Sequence, residues 1–244
     1  TNNFLKVNSD SGVIDNDAFS AIYGWNADGS GYTPYNHTSG SVYLAPGQGF
    51  FVAAASASSA NLSFTQAMQT ITGGDDFVGG RMANTSSSFH LKLYEDGDFI
   101  AETKFYFDSN LTLGLDPGYD AGAFDQTMAL MSRLIEDDQG VGMRINAMGQ
   151  NSLNETTIIP LVVNQSADTA FRISLEDATI PSDVNIYLED TQTNTYTDLR
   201  SGDFTLTPEN NLSDMGRFYL VVGNNSLGET NNDVSYISIY LSLI

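Results

Sequence analysis

The sequence predicts an all-β protein of two sandwiches: a larger jelly-roll-like one over residues 1–150, then an immunoglobulin-like or fibronectin-like one over residues 151–244. Three observations lead there. Apolar and polar residues alternate in short runs, the period of a half-buried strand. Gly, Asn, Asp and Pro punctuate those runs at turn positions. From about Gln150 the runs recur at a regular short interval, as they do in small sandwich domains.

Taken in order, residues 1–19 read as a polar lead-in loop in which Asp10, Asp15, Asn16 and Asp17 interrupt a short Val13-Ile14 pair. Residues 20–51 hold the only tryptophan and the densest tyrosines. Ala21, Tyr23 and Trp25 alternate with Ile22, Gly24 and Asn26, residues 27–31 supply a turn tolerant of positive φ, and residues 32–36 run back as the second strand of a hairpin. Residues 46–49 turn the chain again and deliver Phe50, Phe51 and Val52 into a strand. Trp25 and one of the two phenylalanines are expected to anchor the core, in which case Trp25→Ala would cost about 3–5 kcal/mol. Residues 53–60 read as an Ala/Ser connector, 61–68 as a further strand and 72–76 as a turn.

A stronger hairpin follows. Phe89, Leu91 and Leu93 alternate with His90, Lys92 and Tyr94, and an Asp96-Gly97 turn leads to a partner strand over 99–107. Residues 111–125 carry too much Gly and Pro for regular structure and read as a long loop. Phe124, Met128, Met131 and Ile135 fall at helical spacing, yet 130–135 and 141–148 around an acidic turn also fit a hairpin, which is the reading adopted. Strands are then expected at 157–163, 170–175, 184–189, 204–207, 218–222 and 236–243, with the domain boundary near Asn151 in a short polar link.

Composition narrows the function. Thirty acids against nine bases give a formal net charge of −21, which argues against nucleic acid or an anionic membrane as partner, since both demand a basic footprint. The chain has no cysteine, which excludes disulfides, thiolate zinc sites and a cysteine nucleophile. No apolar run approaches the roughly 20 residues of a membrane-spanning helix. The two histidines, His37 and His90, are expected to face solvent, and no nucleophile elbow, phosphate loop or metalloprotease helix is present.

Calcium is the one ligand this composition invites, because it takes oxygens from carboxylates, amides and carbonyls. Asp116, Asp120 and Asp125 in the long loop are the leading candidates, ahead of the Asn26–Asp28 turn and of Asp75-Asp76. The competing reading of each is a turn capped by its own side chain. Trp25, Tyr32 and Tyr35 have a second reading as an exposed platform for stacking sugars instead of core.

Residues 115–125 (LDPGYDAGAFD), with TQAMQTITGGDD at 65–76, APGQGFFV at 45–52, VNIYLEDTQTNTYTDL at 184–199 and FTLTPENNLSDMGRFYL at 204–220, resemble the module just upstream of the sorting domain in large surface proteins of marine Bacteroidota secreted by the type IX system. The resemblance covers nearly the whole chain. It implies export and display on, or release from, the cell surface, and it implies no reaction. The Gly-Asn-Pro-Tyr-type lead-in expected before Thr1 and the sorting domain expected after Ile244 are absent, so the chain reads as cut at both ends. Asp168-Thr169-Ala170 is similar to the O-glycosylation tripeptide of that phylum, which makes Thr169 a candidate attachment site. The expectation is therefore a non-enzymatic extracellular structural or adhesin module. Its partners would be neighbouring domains of the same protein and, through a missing sorting domain, the type IX machinery. The alternatives are a carbohydrate-binding module taking surface glycans, and a subunit that pairs with copies of itself, through an edge strand at 236–244, in a filament or layer.

Overall fold

A computed structural model of the chain describes residues 2–26, 31–40, 42–44, 47–55, 61–70 and 87–224. It opens with a helix where a loop was expected: α1 (Asn2–Asp10) buries Phe4, Leu5 and Asn8 on one face. The stripe escapes a hydrophobicity reading because its third member is polar. Asn8 donates from Nδ2 to the carbonyls of Phe4 (2.9 Å) and Ser63 (3.0 Å) and accepts the Ser63 N–H at Oδ1 (2.7 Å). Its amide is thereby satisfied inside the protein, and it fastens the helix to residues 61–65. Those residues form no strand; a single 3₁₀ turn, Gln66–Met68, follows them.

The first hairpin forms as the alternation predicts, from β1 (Ile22–Trp25) and β2 (Tyr32–Tyr35), although its turn at 27–30 lies outside the described residues. Phe51 bridges to Tyr23 on the other edge of β1. The second hairpin, β3 (Ser87–Glu95) and β4 (Asp98–Asp108), turns on Asp96 (φ 47°) and Gly97 (φ 94°). Positive φ at both central residues matches the twist of the strands it joins. Phe89, Leu91 and Leu93 face inward opposite Phe105, Thr103 and Ala101, and the Phe89 and Phe105 rings stack at 4.8 Å. Residues 111–125 are mostly loop, with β5 (Ala121–Gly122) near the end. The choice between helix and hairpin at 124–148 resolves as a hairpin: β6 (Leu130–Ser132) runs antiparallel to β7 (Met143–Gly149), and β7 lies parallel to β4.

The later strands lie close to their expected places: β8 (Thr157–Val163), β9 (Phe171–Glu176), β10 (Asn185–Asp190), β12 (Phe204–Leu206) and β13 (Phe218–Gly223). An unanticipated β11 (Thr195–Asp198) lies in a polar stretch. The strand expected at 236–243 falls outside the described residues.

The protein is all-β, and its strands join across the expected boundary. β3, β4 and β5 to β13 form one eleven-stranded sheet in the order β11-β10-β13-β8-β6-β7-β4-β3-β9-β12, with β5 on β7. β6 pairs with β8 at Leu130 and Val163, and β3 pairs with β9 at Leu93 and Ile173. Strands from beyond residue 151 thus flank those before residue 150 on both sides, and the division into separate domains at 1–150 and 151–244 is corrected. The supposed linker is a 3₁₀ turn, Gln150–Leu153, with Ser152 and Leu153 buried. One apolar core runs from Phe89 to Val222. Phe171 of β9, Phe204 of β12 and Phe218 of β13 meet inside it with centroids 5.6–6.5 Å apart, so the sheet curls into a nearly closed barrel. On its outer face the β1–β2 hairpin covers β5 and β7, where Ala21 and Tyr23 pack on Ala121 and Ile145. The Tyr23 hydroxyl donates to the Gly122 carbonyl at 2.9 Å.

Candidate functional site

The pleat of β1 sends Tyr23 and Trp25 to one face. Register sets Tyr32 opposite Trp25, and Phe51 bridges to Tyr23, so four aromatic rings share that face. Phe124, just after β5, stacks on Tyr23 at 3.7 Å and meets Tyr32 edge-on at 5.6 Å; Tyr32 in turn meets Trp25 at 4.9 Å and Phe51 at 5.3 Å. Trp25 is 53% exposed and Phe51 54%. The expectation that Trp25 anchors the core is corrected, and of the two phenylalanines it is Phe50 that packs inward, against Phe4 at 5.3 Å. Tyr35 pairs with Ile22 and so belongs to the opposite face of the hairpin. The platform is therefore Trp25, Tyr32, Phe51 and Phe124, with Tyr35 outside it.

A cleft of about 200 Å³ opens beside these rings, bounded by Trp25, Tyr32, Phe124, Met128, Asp125 and Arg144. Asp125 is exposed, and its Oδ1 accepts the N–H (2.8 Å) and hydroxyl (2.6 Å) of Thr127, which hold its carboxyl below the usual range. Arg144 lies on the buried side, with 5% of its side chain exposed. Its Nη1 reaches the Met128 sulfur at 3.1 Å, its Nη2 stands 3.9 Å from Glu102, and its Nε is buried without a partner.

Behind Arg144, on the outer face of β3, β4 and β9, lies a charged cluster that sequence reasoning missed. Glu102 stands 3.0 Å from Lys104, and Lys92 bonds Glu176 at 2.7 Å. Burial works against the Glu102 charge, but Lys104 and Arg144 outweigh it and hold the carboxyl low. Glu176, also bonded by the Tyr94 hydroxyl, is likewise held low against its burial. His90 is half-buried instead of solvent-facing, and burial, with Lys104 next, pushes its imidazole down to about 4. It is neutral at physiological pH, so its 3.4 Å approach to Asp177 is no ion pair; the angle leaves Nδ1 unbonded. The available signal was the polar half of the strand alternation, His90-Lys92 and Glu102-Lys104. It reads equally well as a solvated face.

The proposed calcium carboxylates serve as turn caps. Asp116 accepts the N–H (2.7 Å) and hydroxyl (3.1 Å) of Thr112 at Oδ2. Asp120 is fully buried and accepts the Asp116 N–H at Oδ2 (2.6 Å) and the Ala147 N–H at Oδ1 (2.7 Å), stitching the loop to β7. Asp125 lies apart at the cleft. Among the described residues no three carboxylates or histidines gather as a metal set; Asp28, Asp75 and Asp76 lie outside them. Thr169 is half-buried in the turn before β9, where its N–H reaches the Ser166 carbonyl at 3.3 Å. His37 is half-buried against Tyr119 at 5.3 Å, and burial lowers its pKa.

Burial lifts the Asp120 carboxyl to about 7, above its ordinary 3.8. The folded state therefore holds this proton more tightly than the unfolded one, and the group's contribution to stability is full below about 4 and lost as pH rises through about 7. Asp120→Asn turns an amide N–H₂ toward one of the two donors, at a cost of about 1–3 kcal/mol in mildly acidic solution. Denaturant melts at about pH 5 and pH 8 should show the gap between wild type and variant narrowing at the higher pH. A gap independent of pH would contradict the raised pKa.

A larger hollow of about 340 Å³ lies at the ends of β3, β9 and β12. Its cation is committed elsewhere: Arg172 bonds Asp203 at 2.7 Å and Ser174 at 2.6 Å and lies over the Tyr94 ring. The cleft by Trp25 is the better site. The protein is thus an all-β scaffold that carries an aromatic cleft with one buried guanidinium. The chain belongs to the family described as a domain of unknown function, DUF8693, which matches residues 4–222 and so takes in the β1–β2 hairpin and nearly all of the eleven-stranded sheet. No curated protein and no solved structure matches it.

Proposed function

We propose that this chain is a non-enzymatic extracellular adhesin module whose working surface is the aromatic cleft, and that carbohydrate is what it takes there. The observation that carries this reading is Trp25, half-exposed on a face shared with Tyr32, Phe51 and Phe124. Large rings gathered at the surface mark a contact site, and their flat faces suit the C–H faces of a sugar ring. Extracellular placement rests on the resemblance to the Bacteroidota surface module and fits the acidic, cysteine-free composition. The non-enzymatic reading is favoured by what faces the cleft: a lowered carboxyl, Asp125, and a guanidinium, neither poised to exchange protons near neutral pH.

Glycan-array screening tests the proposal. Trp25→Ala should shift stability by no more than about 1 kcal/mol, because the ring is not core, while abolishing binding. A stability loss of about 3–5 kcal/mol would restore the core reading. Retention of every glycan signal by the variant would refute the cleft.

A further inference from the structure

A buried guanidinium is normally surrounded by oxygen acceptors, since leaving its N–H groups unpaired is expensive. Arg144 is not. Among the described residues its contacts are the Met128 thioether, a weak acceptor, and Glu102 at 3.9 Å, beyond hydrogen-bond length. Glu102 is itself engaged, 3.0 Å from Lys104. The backbone does not compensate, and Nε has no partner. This cation lines the aromatic cleft, whose other charged wall, Asp125, is exposed to water and bonded to Thr127. The negative charge of Asp125 is therefore screened by solvent, whereas the positive charge of Arg144 acts in a low dielectric.

Resting on the carbohydrate reading above, we infer that the cleft selects an acidic sugar, seating its carboxylate or sulfate on the Arg144 guanidinium while the ring lies against Trp25. An anionic oxygen would supply the acceptors that the protein withholds, in the paired geometry a guanidinium favours. Ring hydroxyls reach the exposed Asp125, which accepts from them. The cleft holds about 200 Å³, below the usual range for drug-sized ligands, so it takes one sugar residue of a chain. The acidic surface of the protein repels such chains at long range. Moderate salt screens that repulsion and leaves the buried contact largely intact.

Because Trp25 is the only tryptophan, its fluorescence reads the site directly. The purified chain is titrated with oligogalacturonate, with the same oligomer neutralised as its methyl ester, with dextran, and with dextran sulfate. The expected result is tighter binding of an acidic form than of its neutral counterpart by about tenfold or more, the uronate and sulfate arms showing which acid fits. Arg144→Met should erase that preference, and Arg144→Lys should restore part of it. Equal binding of neutral and acidic forms overturns the acid inference and leaves the carbohydrate reading standing. No fluorescence response to any of the four overturns both. If Arg144→Met fails to fold, the wild-type preference alone decides.

Discussion

Glu102→Ala should destabilise the protein by about 3–5 kcal/mol, the cost of removing one partner from a buried charge cluster. The side chains of Glu102, Lys104 and Arg144 are 12%, 18% and 5% exposed, and Glu102 is the carboxylate that both cations share. Deleting it leaves two positive charges facing each other with little water to screen them. Glu102→Gln keeps an acceptor for Lys104 and should cost less. Glu102→Ala combined with Arg144→Met should recover part of the loss, since it removes one of the stranded cations. Urea melts of the four proteins measure this, and an unchanged midpoint in Glu102→Ala would mean that the cluster is solvated. The same cluster makes the protein acid-sensitive. His90 is neutral in the fold down to about 4 but protonates near 6.5 when unfolded, so its contribution is complete above 6.5 and lost as pH falls toward 4. The depressed Glu102 keeps its full contribution above its ordinary 4.5 and loses it as pH falls from there through the lower folded value.

Phe105→Ala should cost a similar amount, about 3–5 kcal/mol, because a fully buried ring is removed from close-packed surroundings that cannot collapse to fill the space. Phe105 stacks on Phe89 in the middle of the core. More informative than the size is the form of the transition. With one eleven-stranded sheet and one main core spanning both sides of residue 150, that sheet should melt at a single lowered midpoint. Fluorescence of Trp25 and the circular dichroism of the strands should coincide. Two separated transitions, one of them untouched by the substitution, would bring back the division near residue 150.

Much of this fold was legible in the residues because it is local. The Asp96-Gly97 turn specifies its own hairpin, and the short apolar runs at 157–163 and 218–222 specify strands, though not their inner faces: Ile158 is exposed beside the buried Ile159. Partner choice is not local. Nothing in Leu130 or Val163 says that they pair with each other, and an even spacing of strands fits one large sheet as well as two small ones. The helix at Asn2–Asp10 was hidden because Asn8, a polar residue, is one of the groups it buries. At the site, Trp25 and Tyr32 were legible as an aromatic pair, and their exposure was one of the two readings open. Tyr35 was misplaced because only the hairpin register separates the two faces. Phe124 and Arg144 come from distant stretches of chain and join the cleft only through β5 and β7. Asp116 and Asp120 accept backbone N–H groups, a use that composition alone does not distinguish from ion binding.

The interleaved strand order has a kinetic consequence. β8 to β13 lie on both sides of β3 to β7, so a nascent chain that stops near residue 150 would present two raw sheet margins and half a core. Such a chain gains little from early collapse, and its pairings close loops of long sequence separation, which slows folding. The eleven-stranded sheet can be completed only when its last described strand, β13, has been made.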